Sequence, residues 1–268
     1  MTVAPIIAGL LAAALANPLC AASSGKGKRP PSRAGGIGNS AGPQAGAPSA
    51  AALPLYPATT EAMTVPLVLE RFERFEHDLL TLSATFQQSV RSQDTGQSQS
   101  VAGTLAYRKK DRLRIEHRLP ERQTLVCDGA RVWVWRPAND QVIRTKLDAW
   151  KKSQPLAQGL LDFGNYADLL RHYEAAVATT SAPAADGYRS LSLVLKPRPG
   201  AAPGGDFTLT MLLSTRDFFP FDSELRVGDV SARTVFSDVR YNPQLPPALF
   251  EFRPPPGADV FDFPAAPR

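Results

Sequence analysis

The stretch from Gly103 to Val142 decides the fold, and it reads GTLAYRKKDRLRIEHRLPERQTLVCDGARVWVWRPANDQV. Four short runs in this stretch alternate apolar with polar residues, and short polar turns separate them. Period-two alternation is typical of strands that have one apolar side and one solvent-facing side. The Asp128-Gly129 pair between two of the runs is a strong hairpin signal. The stretch therefore predicts an antiparallel meander whose apolar face must be covered by other parts of the chain.

Each run carries two apolar residues that are two positions apart, so both side chains belong to the same face of their strand. The pairs are Leu105 and Tyr107, Leu113 and Ile115, Leu125 and Cys127, and Trp133 and Trp135. The alternation alone leaves open which face of the sheet is concave. We assign the concave face to the first, second and fourth of these pairs.

The composition fits one medium-sized domain with extensions. The chain has 268 residues, 43% of them hydrophobic, which is enough for a sizeable core. Its pI of 9.4 is misleading, because four basic residues and no acidic ones lie in residues 1–60. The remainder holds 26 of the 30 basic residues against all 25 acidic ones. Duplex binding needs many phosphate contacts, so we predict no nucleic-acid partner.

The N-terminal region reads as a leader followed by a linker. Residues 3–19 form an apolar run that is too short for a stable membrane span, and small residues follow it at Cys20-Ala21-Ala22. We therefore predict a signal peptide over 1–22, cleaved near Ala22, and hence export. Cys20 leaves lipid attachment as the alternative, which the bulky Leu19 before it disfavours. Residues 23–60 are rich in Gly, Ala, Pro and Ser and predict a disordered basic linker. We place the folded domain at 61–263 and a short tail at 264–268.

Two further segments predict helices that cover the sheet. From Thr64 to about Val90, apolar residues recur every three or four positions, as in an amphipathic helix. These residues are Val68, Phe72, Phe75, Leu79, Leu82 and Phe86. Residues 147–174 then break the strand rhythm, and two short helices over about 154–162 and 165–174 fit there. The leucine content of this pair predicts a lid over the apolar face.

The rest of the chain returns to strands. We predict them at Arg189–Lys196, Phe207–Ser214, Pro220–Val227, Ala232–Tyr241 and Leu249–Arg253. The total is about ten or eleven strands and three helices. So many short antiparallel strands are expected to curl strongly. The predicted fold class is mainly β with some α: an incomplete curved antiparallel barrel covered by an N-terminal helix and a helical lid around a hydrophobic cavity.

The motifs of common enzymes and metal sites are missing from the sequence. It has no glycine-rich phosphate loop, no CxxC and no HExxH, and His77, His117 and His172 fall on different predicted elements. We therefore predict no metal, no cofactor and no catalytic centre. An exported, curved sheet under an apolar lid favours a protein that binds an apolar ligand.

Several blocks of residues, taken in order, resemble one known family. They are Ser83–Gln88 at the end of the predicted first helix, Gly103–Leu105 with Leu113–Glu116, Leu125–Gly129 with Val132–Trp135, Asn139–Val142 and Phe250–Gly257. Over about residues 64–263 the chain is similar to the periplasmic outer-membrane lipoprotein carrier proteins, the LolA-like family. The resemblance implies a carrier that moves acylated lipoproteins from an inner-membrane ABC-type exporter to an outer-membrane acceptor.

The resemblance leaves alternatives of other classes open. One is an envelope sensor or regulatory lipid-binding protein of the same fold, and another is an enzyme that acts on lipids. As a carrier, the protein would be a periplasmic monomer without a cofactor.

The same resemblance directs the choice of site residues. We predict that acyl chains lie against Leu105, Tyr107, Leu113, Ile115, Trp133 and Trp135 of the sheet and Leu156, Leu160, Leu161 and Phe163 of the lid. The family commonly has Arg-Pro after the first hairpin strand, and that arginine helps to latch the lid. Here the positions hold Lys109-Lys110, so the resemblance implies Lys109 as the latch. Lysine lacks the planar fork of arginine, so its latch would differ in geometry.

Overall fold

The computed structural model describes residues 56–58, 60–153, 166–198 and 206–262, which form one large sheet with helices on one side. The strands are β1 Thr81–Ser92, β2 Ser98–Arg108, β3 Arg112–Leu119, β4 Gln123–Asp128, β5 Arg131–Arg136, β6 Gln141–Lys146, β7 Glu174–Thr180, β8 Ser190–Lys196, β9 Thr208–Ser214, β10 Pro220–Val227, β11 Val230–Tyr241 and β12 Asp259–Asp262. The helices are α1 Val65–Asp78, α2 Leu147–Ser153 and α3 Tyr166–His172.

These strands pair in the order β12-β6-β5-β4-β3-β2-β1-β11-β10-β9-β8-β7. All neighbouring strands are antiparallel except β12 and β6, which run parallel. Within the described residues β12 and β7 form the two outer edges, so the sheet stays open. The predicted fold class, an incomplete antiparallel barrel with a few helices, is confirmed, and the described residues form twelve strands instead of the predicted ten or eleven.

The first helix is shorter than predicted. It begins after Thr64, whose side chain accepts a hydrogen bond from the backbone N–H of Leu67, and it ends at Asp78. The prediction that the helix continues to Val90 is wrong, because Thr81–Ser92 is strand β1. Leu82 and Phe86 are four positions apart, and this spacing places two side chains on one side of a strand as well as on one side of a helix. The block Ser83–Gln88 therefore lies in the middle of the sheet.

Other differences concern short elements. The predicted strand at Leu249–Arg253 is wrong: Pro247–Phe250 forms a 3-10 turn, in keeping with the fixed φ of proline, and the last strand is β12. Strand β7, with the sequence EAAVATT, was not predicted because it contains few large apolar residues. Of the two predicted lid helices, the one over 165–174 is confirmed as α3. The one over 154–162 lies outside the described residues.

One face of the sheet packs against the helices, and we call it the covered face. Cross-strand register places Leu105 opposite Ile115, Ile115 opposite Leu125, and Leu125 opposite Val134. Directly opposite residues share a face, so this row runs across four strands. These residues form one apolar cluster with Val68, Phe72 and Phe75 of α1. The core of the protein therefore lies between the covered face and α1.

Gly103 allows two parts of the covered face to come close together. A Cβ atom at this position would overlap the backbone oxygen of Glu116 and lie 2.8 Å from Cζ of Phe86. The ring of Phe86 therefore occupies the space over β2 that a side chain would otherwise fill, and it meets the ring of His117 edge-on at 5.7 Å.

The helices are short. No helix in the part of the chain that the structure describes combines the length and the apolar character needed to cross a membrane.

Candidate functional site

Four of the predicted site residues lie together in the middle of the covered face. Leu105 and Tyr107 on β2 stand opposite Ile115 and Leu113 on β3. All four side chains are buried in the apolar cluster, with between 1% and 7% of their surface exposed. Their predicted common face is therefore confirmed, whereas contact with acyl chains stays a prediction. In the structure described here, the helices cover them.

The prediction that Trp133 and Trp135 share this face is wrong. Trp133 stands opposite Val126, and Trp135 stands opposite Thr124, so both indoles lie on the other side of the sheet. There they pack against the ring of Phe252, at 5.8 Å and 6.4 Å between ring centroids. The run from Val132 to Trp135 is apolar at every position, so alternation could not decide its orientation. Val132 and Val134 occupy the covered face instead.

The predicted lid residues Leu156, Leu160, Leu161 and Phe163 lie outside the described residues. The structure does describe the helix on either side of them, α2 and α3. Both helices contribute buried side chains to the apolar cluster: Leu147 from α2, and Tyr166, Ala167 and Leu170 from α3.

Helix α2 is tied to the turn between β2 and β3. The Nζ atom of Lys151 lies 2.6 Å from the Oδ1 atom of Asp111 in that turn. The backbone N–H of Leu147 donates to the carbonyl of Ala130, with 2.9 Å between nitrogen and oxygen. Asp111 is thus the residue of this turn that holds a covering helix, and sequence reasoning missed it.

Lys109, the predicted lid latch, contacts α1. Its Nζ atom donates to the carbonyl oxygens of Glu76 at 2.7 Å and His77 at 3.1 Å. These carbonyls belong to the last turn of the helix, where a positive charge also interacts favourably with the helix dipole. Lys109 therefore fixes the end of α1 against the sheet. A role in holding the lid stays a prediction.

Helix α3 is held on α1 by two glutamates. The Oε1 atom of Glu76 accepts a hydrogen bond from the backbone N–H of Ala167 at 2.7 Å, and Glu73 forms an ion pair with Arg171. Between these contacts the rings of Phe72 and Tyr166 pack at 5.5 Å. Because Glu73 and Glu76 are three positions apart, they lie on the same side of α1. Their spacing is the one sequence signal that could have pointed to this contact.

A cavity of about 340 Å³ opens at one end of the covered face. Its lining includes Val101, His117, Leu119, Gln123 and Arg136. This end, which we call the mouth, is where β3 ends and β4 begins. It is the opposite end of these strands from the turn that holds Lys109 and Asp111.

The mouth contains buried polar atoms that have no hydrogen-bond partner among the described residues. These atoms are His117 Nε2 and Gln123 Nε2, together with Gln88 Oε1 on the neighbouring part of the covered face. His117 is only 6% exposed, and burial lowers the pKa of its imidazole to about 4. The ring is therefore uncharged at neutral pH. Its position on the covered face was missed because the sequence shows only an isolated histidine.

Cys127 is the cysteine on the covered face. Burial raises the pKa of the Cys127 thiol to about 11, and its Sγ atom donates to the backbone oxygen of Asp111 at 2.9 Å. This cysteine is therefore a neutral thiol at neutral pH rather than a nucleophile. Across the residues placed by the structure, no group of three His, Cys, Asp or Glu side chains lies close enough to hold a metal ion.

These observations define the structural class of the protein, an open half-barrel whose apolar face is covered by short helices. The family model for the outer membrane lipoprotein carrier protein LolA matches residues 77–198. An outer-membrane lipoprotein carrier protein from Dechloromonas aromatica is 31% identical over 198 residues, which cover 69% of this chain and 84% of that protein. Its counterpart from Halorhodospira halophila is 30% identical, covering 72% and 85%. The chain belongs to the outer-membrane lipoprotein carrier family.

A solved structure is also similar. The LolA superfamily protein NE2245 from Nitrosomonas europaea matches with a TM-score of 0.38 and 14% identity, covering 71% of this chain and 99% of that one. Membership of the family rests on the sequence matches.

Proposed function

We propose that this protein is a periplasmic carrier that binds the acyl chains of lipoproteins and shuttles them from an inner-membrane exporter to an acceptor at the outer membrane. Family membership supports this role, and the predicted leader supports the compartment. The observation that carries the proposal is the covered face itself, a wide apolar surface beneath small helices that a few polar contacts hold in place. We propose that it acts without catalysis and as a monomer.

The need for such a surface follows from the cargo. Each buried CH₂ group of an acyl chain contributes about 0.8 kcal/mol, so a protein with several chains does not leave a membrane without an apolar shelter. We assign the floor of that shelter to Leu105, Tyr107, Leu113 and Ile115. In the structure these four side chains lie in one apolar cluster with buried residues of α1, α2 and α3.

Loading requires that the cover can be displaced. Helix α3 is attached to α1 through the Glu73–Arg171 ion pair, in which both side chains are about half exposed. Helix α2 is attached through Lys151 and Asp111, which are also partly exposed. Exposed pairs of this kind stabilise a protein by only about 0–1 kcal/mol each. Helices α2 and α3 also make apolar contacts, through Leu147, Tyr166 and Leu170, and acyl chains can take the place of these side chains on the covered face.

A reversible crosslink tests this arrangement. In a Cys20→Ser background we would introduce Glu73→Cys and Arg171→Cys and join the two thiols with a short crosslinker that contains a cleavable disulfide. Cys127 is buried and stays unreacted. Binding of a fluorescent triacylated lipopeptide is expected to fall at least tenfold in the crosslinked protein and to recover after reduction.

The matched control places the same crosslink on the other face of the sheet. Gln87 and Val235 are exposed and stand opposite each other on β1 and β11, so a crosslink between cysteines there should leave binding unchanged. Full binding by the protein crosslinked through α1 and α3 would refute displacement of the cover. A second assay measures release of a lipoprotein from inner-membrane vesicles, and binding without release would favour the sensor over the carrier.

A further inference from the structure

We propose that the mouth of the covered face is a polar subsite for the carbonyl groups of the ester and amide bonds that join fatty chains to the rest of the cargo. This inference rests on the proposed carrier function and deepens it. It assigns binding of the chains to the apolar floor and binding of their linkage to a separate set of side chains.

Cross-strand register brings these polar side chains into a row on the covered face. Gln88 on β1 stands opposite Thr234 on β11, and its Nε2 atom donates to the Thr234 hydroxyl at 2.9 Å. His117 on β3 stands opposite Gln123 on β4. The side-chain oxygen of Gln123 in turn accepts from Arg136 Nε at 3.3 Å. The row thus crosses the sheet at one end of the apolar floor.

Only some of the polar atoms in this row have a hydrogen-bond partner among the described residues. Of its buried atoms, Gln88 Oε1, His117 Nε2 and Gln123 Nε2 lack a partner among the described residues. Gln88 and His117 are only 2% and 6% exposed. Buried side-chain polar atoms normally have a hydrogen-bond partner, and the two exceptions that line the cavity, on His117 and Gln123, are placed where a ligand can supply the partners.

The available groups match an acyl linkage. The amide nitrogen of Gln123 and the guanidinium of Arg136 are donors, and a neutral imidazole with its hydrogen on Nε2 is a third. Carbonyl oxygens of esters and amides are acceptors, so they can accept hydrogen bonds from these three groups. Because the imidazole is uncharged, His117 itself adds no buried charge beside the chains.

The size and the lining of the mouth also suit an acyl linkage. The cavity of about 340 Å³ lies within the size range of small-molecule pockets, so it suits a linkage group rather than a folded cargo domain. Val101 and Leu119 line it beside the polar side chains. A ligand with apolar tails and a carbonyl-bearing junction would place its tails on the floor and its junction here.

Paired ligands test the carbonyl contact directly. The full chain would be titrated with a dipalmitoyl lipopeptide in which the two chains are joined by ester bonds, and with the matching dialkyl ether lipopeptide, which lacks those carbonyls. The wild-type protein is expected to prefer the ester by roughly tenfold, as for one or two hydrogen bonds. The variants Gln123→Leu and His117→Phe are expected to lose this preference while keeping their affinity for the ether.

The controls separate the possible failures. Gln87→Leu makes the same change on β1 but on the exposed face, and it should keep the preference for the ester. Thermal unfolding of each variant verifies that it is folded. If His117→Phe does not fold, the test uses Gln123→Leu alone. Equal binding of ester and ether by the wild type, or an unchanged preference in a folded Gln123→Leu variant, would overturn the subsite alone. If neither lipopeptide binds, the carrier function fails and the subsite fails with it.

The same carbonyl chemistry occurs in lipoproteins and in phospholipids. A third titration therefore uses a diacyl phosphatidylethanolamine in detergent micelles. Tighter binding of the ester lipopeptide identifies the lipoprotein linkage as the ligand. Equal or tighter binding of the phospholipid, with the same loss in Gln123→Leu, identifies a membrane lipid as the source of the carbonyls.

Discussion

Acidification should destabilise the folded protein through His117. The ordinary pKa of a histidine is 6.5, and burial lowers the pKa of this imidazole to about 4. One pKa unit corresponds to about 1.4 kcal/mol, so the difference corresponds to about 3 kcal/mol of stability. Below pH 6.5 the unfolded chain binds a proton on this side chain and the folded chain does not. This contribution of His117 to the free energy of unfolding is therefore fully present above pH 6.5, and it is lost progressively as the pH falls to about 4.

The surroundings of His117 explain why burial dominates its titration. Phe86 on β1 presents its ring edge-on, and Gln123 on β4 is uncharged. The charged side chains that line the same cavity are Glu121, Arg122 and Arg136. Desolvation is the cause of the lowered pKa, so removing the titrating ring should remove this contribution to the pH dependence of stability.

The assay compares urea unfolding of the wild type and His117→Phe between pH 7 and pH 4. Phenylalanine keeps a ring beside Phe86 but cannot be protonated. The stability of the wild type relative to the variant is expected to fall by about 3 kcal/mol over this range. His77→Phe is the control, since it is the same substitution at a side chain that is 86% exposed. Parallel pH curves for wild type and His117→Phe would refute the reasoning.

Three further changes probe the rest of the structure. Gly103→Ala should cost about 1–3 kcal/mol in urea unfolding, because the added methyl group meets Glu116 backbone and the Phe86 ring; a loss below about 0.5 kcal/mol would contradict this close approach. Asp111→Asn should change stability by less than about 1 kcal/mol but accelerate amide hydrogen exchange in Leu147–Ser153, and unchanged exchange would argue against a latch there. Trp133→Phe should keep the affinity for the lipopeptide within about twofold of the wild type, because this side chain lies on the other face. A large loss of affinity would show that Trp133 does belong to the binding site.

The meander could be predicted from sequence because its signals are local. Alternation fixes the faces of β2 and β3, and the Asp128-Gly129 turn pairs β4 with β5. The same reasoning placed Leu105 and Ile115 together on the face that the helices cover. It failed at Trp133 because a run that is apolar on both sides contains no information about direction. Only the pairing of Leu125 with Val134 resolves the choice.

The whole polar row could not be predicted, because the residues at its β1–β11 end are distant in sequence. Gln88 and Thr234 are separated by 146 positions and meet only because β1 pairs with β11. The sequence around Gln88 also appeared helical, since Leu82 and Phe86 fit both periodicities. With Gln88 placed on a helix, no row of polar side chains could be recognised. Assigning β1 correctly would have been the necessary first step.

The contacts of the cover suggest what determines the direction of transfer in the proposed carrier. The ion pairs of Lys151 with Asp111 and of Arg171 with Glu73 are partly exposed, and each contributes about 1 kcal/mol or less. An acyl chain with about fourteen methylenes gains roughly 11 kcal/mol when it is fully buried. The polar contacts of α2 and α3 are therefore too weak by themselves to expel a bound chain. In the proposed carrier, release then depends on the return of the apolar side chains of α2 and α3 to the covered face and on an acceptor that offers the chains an equally apolar site, so a variant such as Asp111→Asn should affect loading more than delivery.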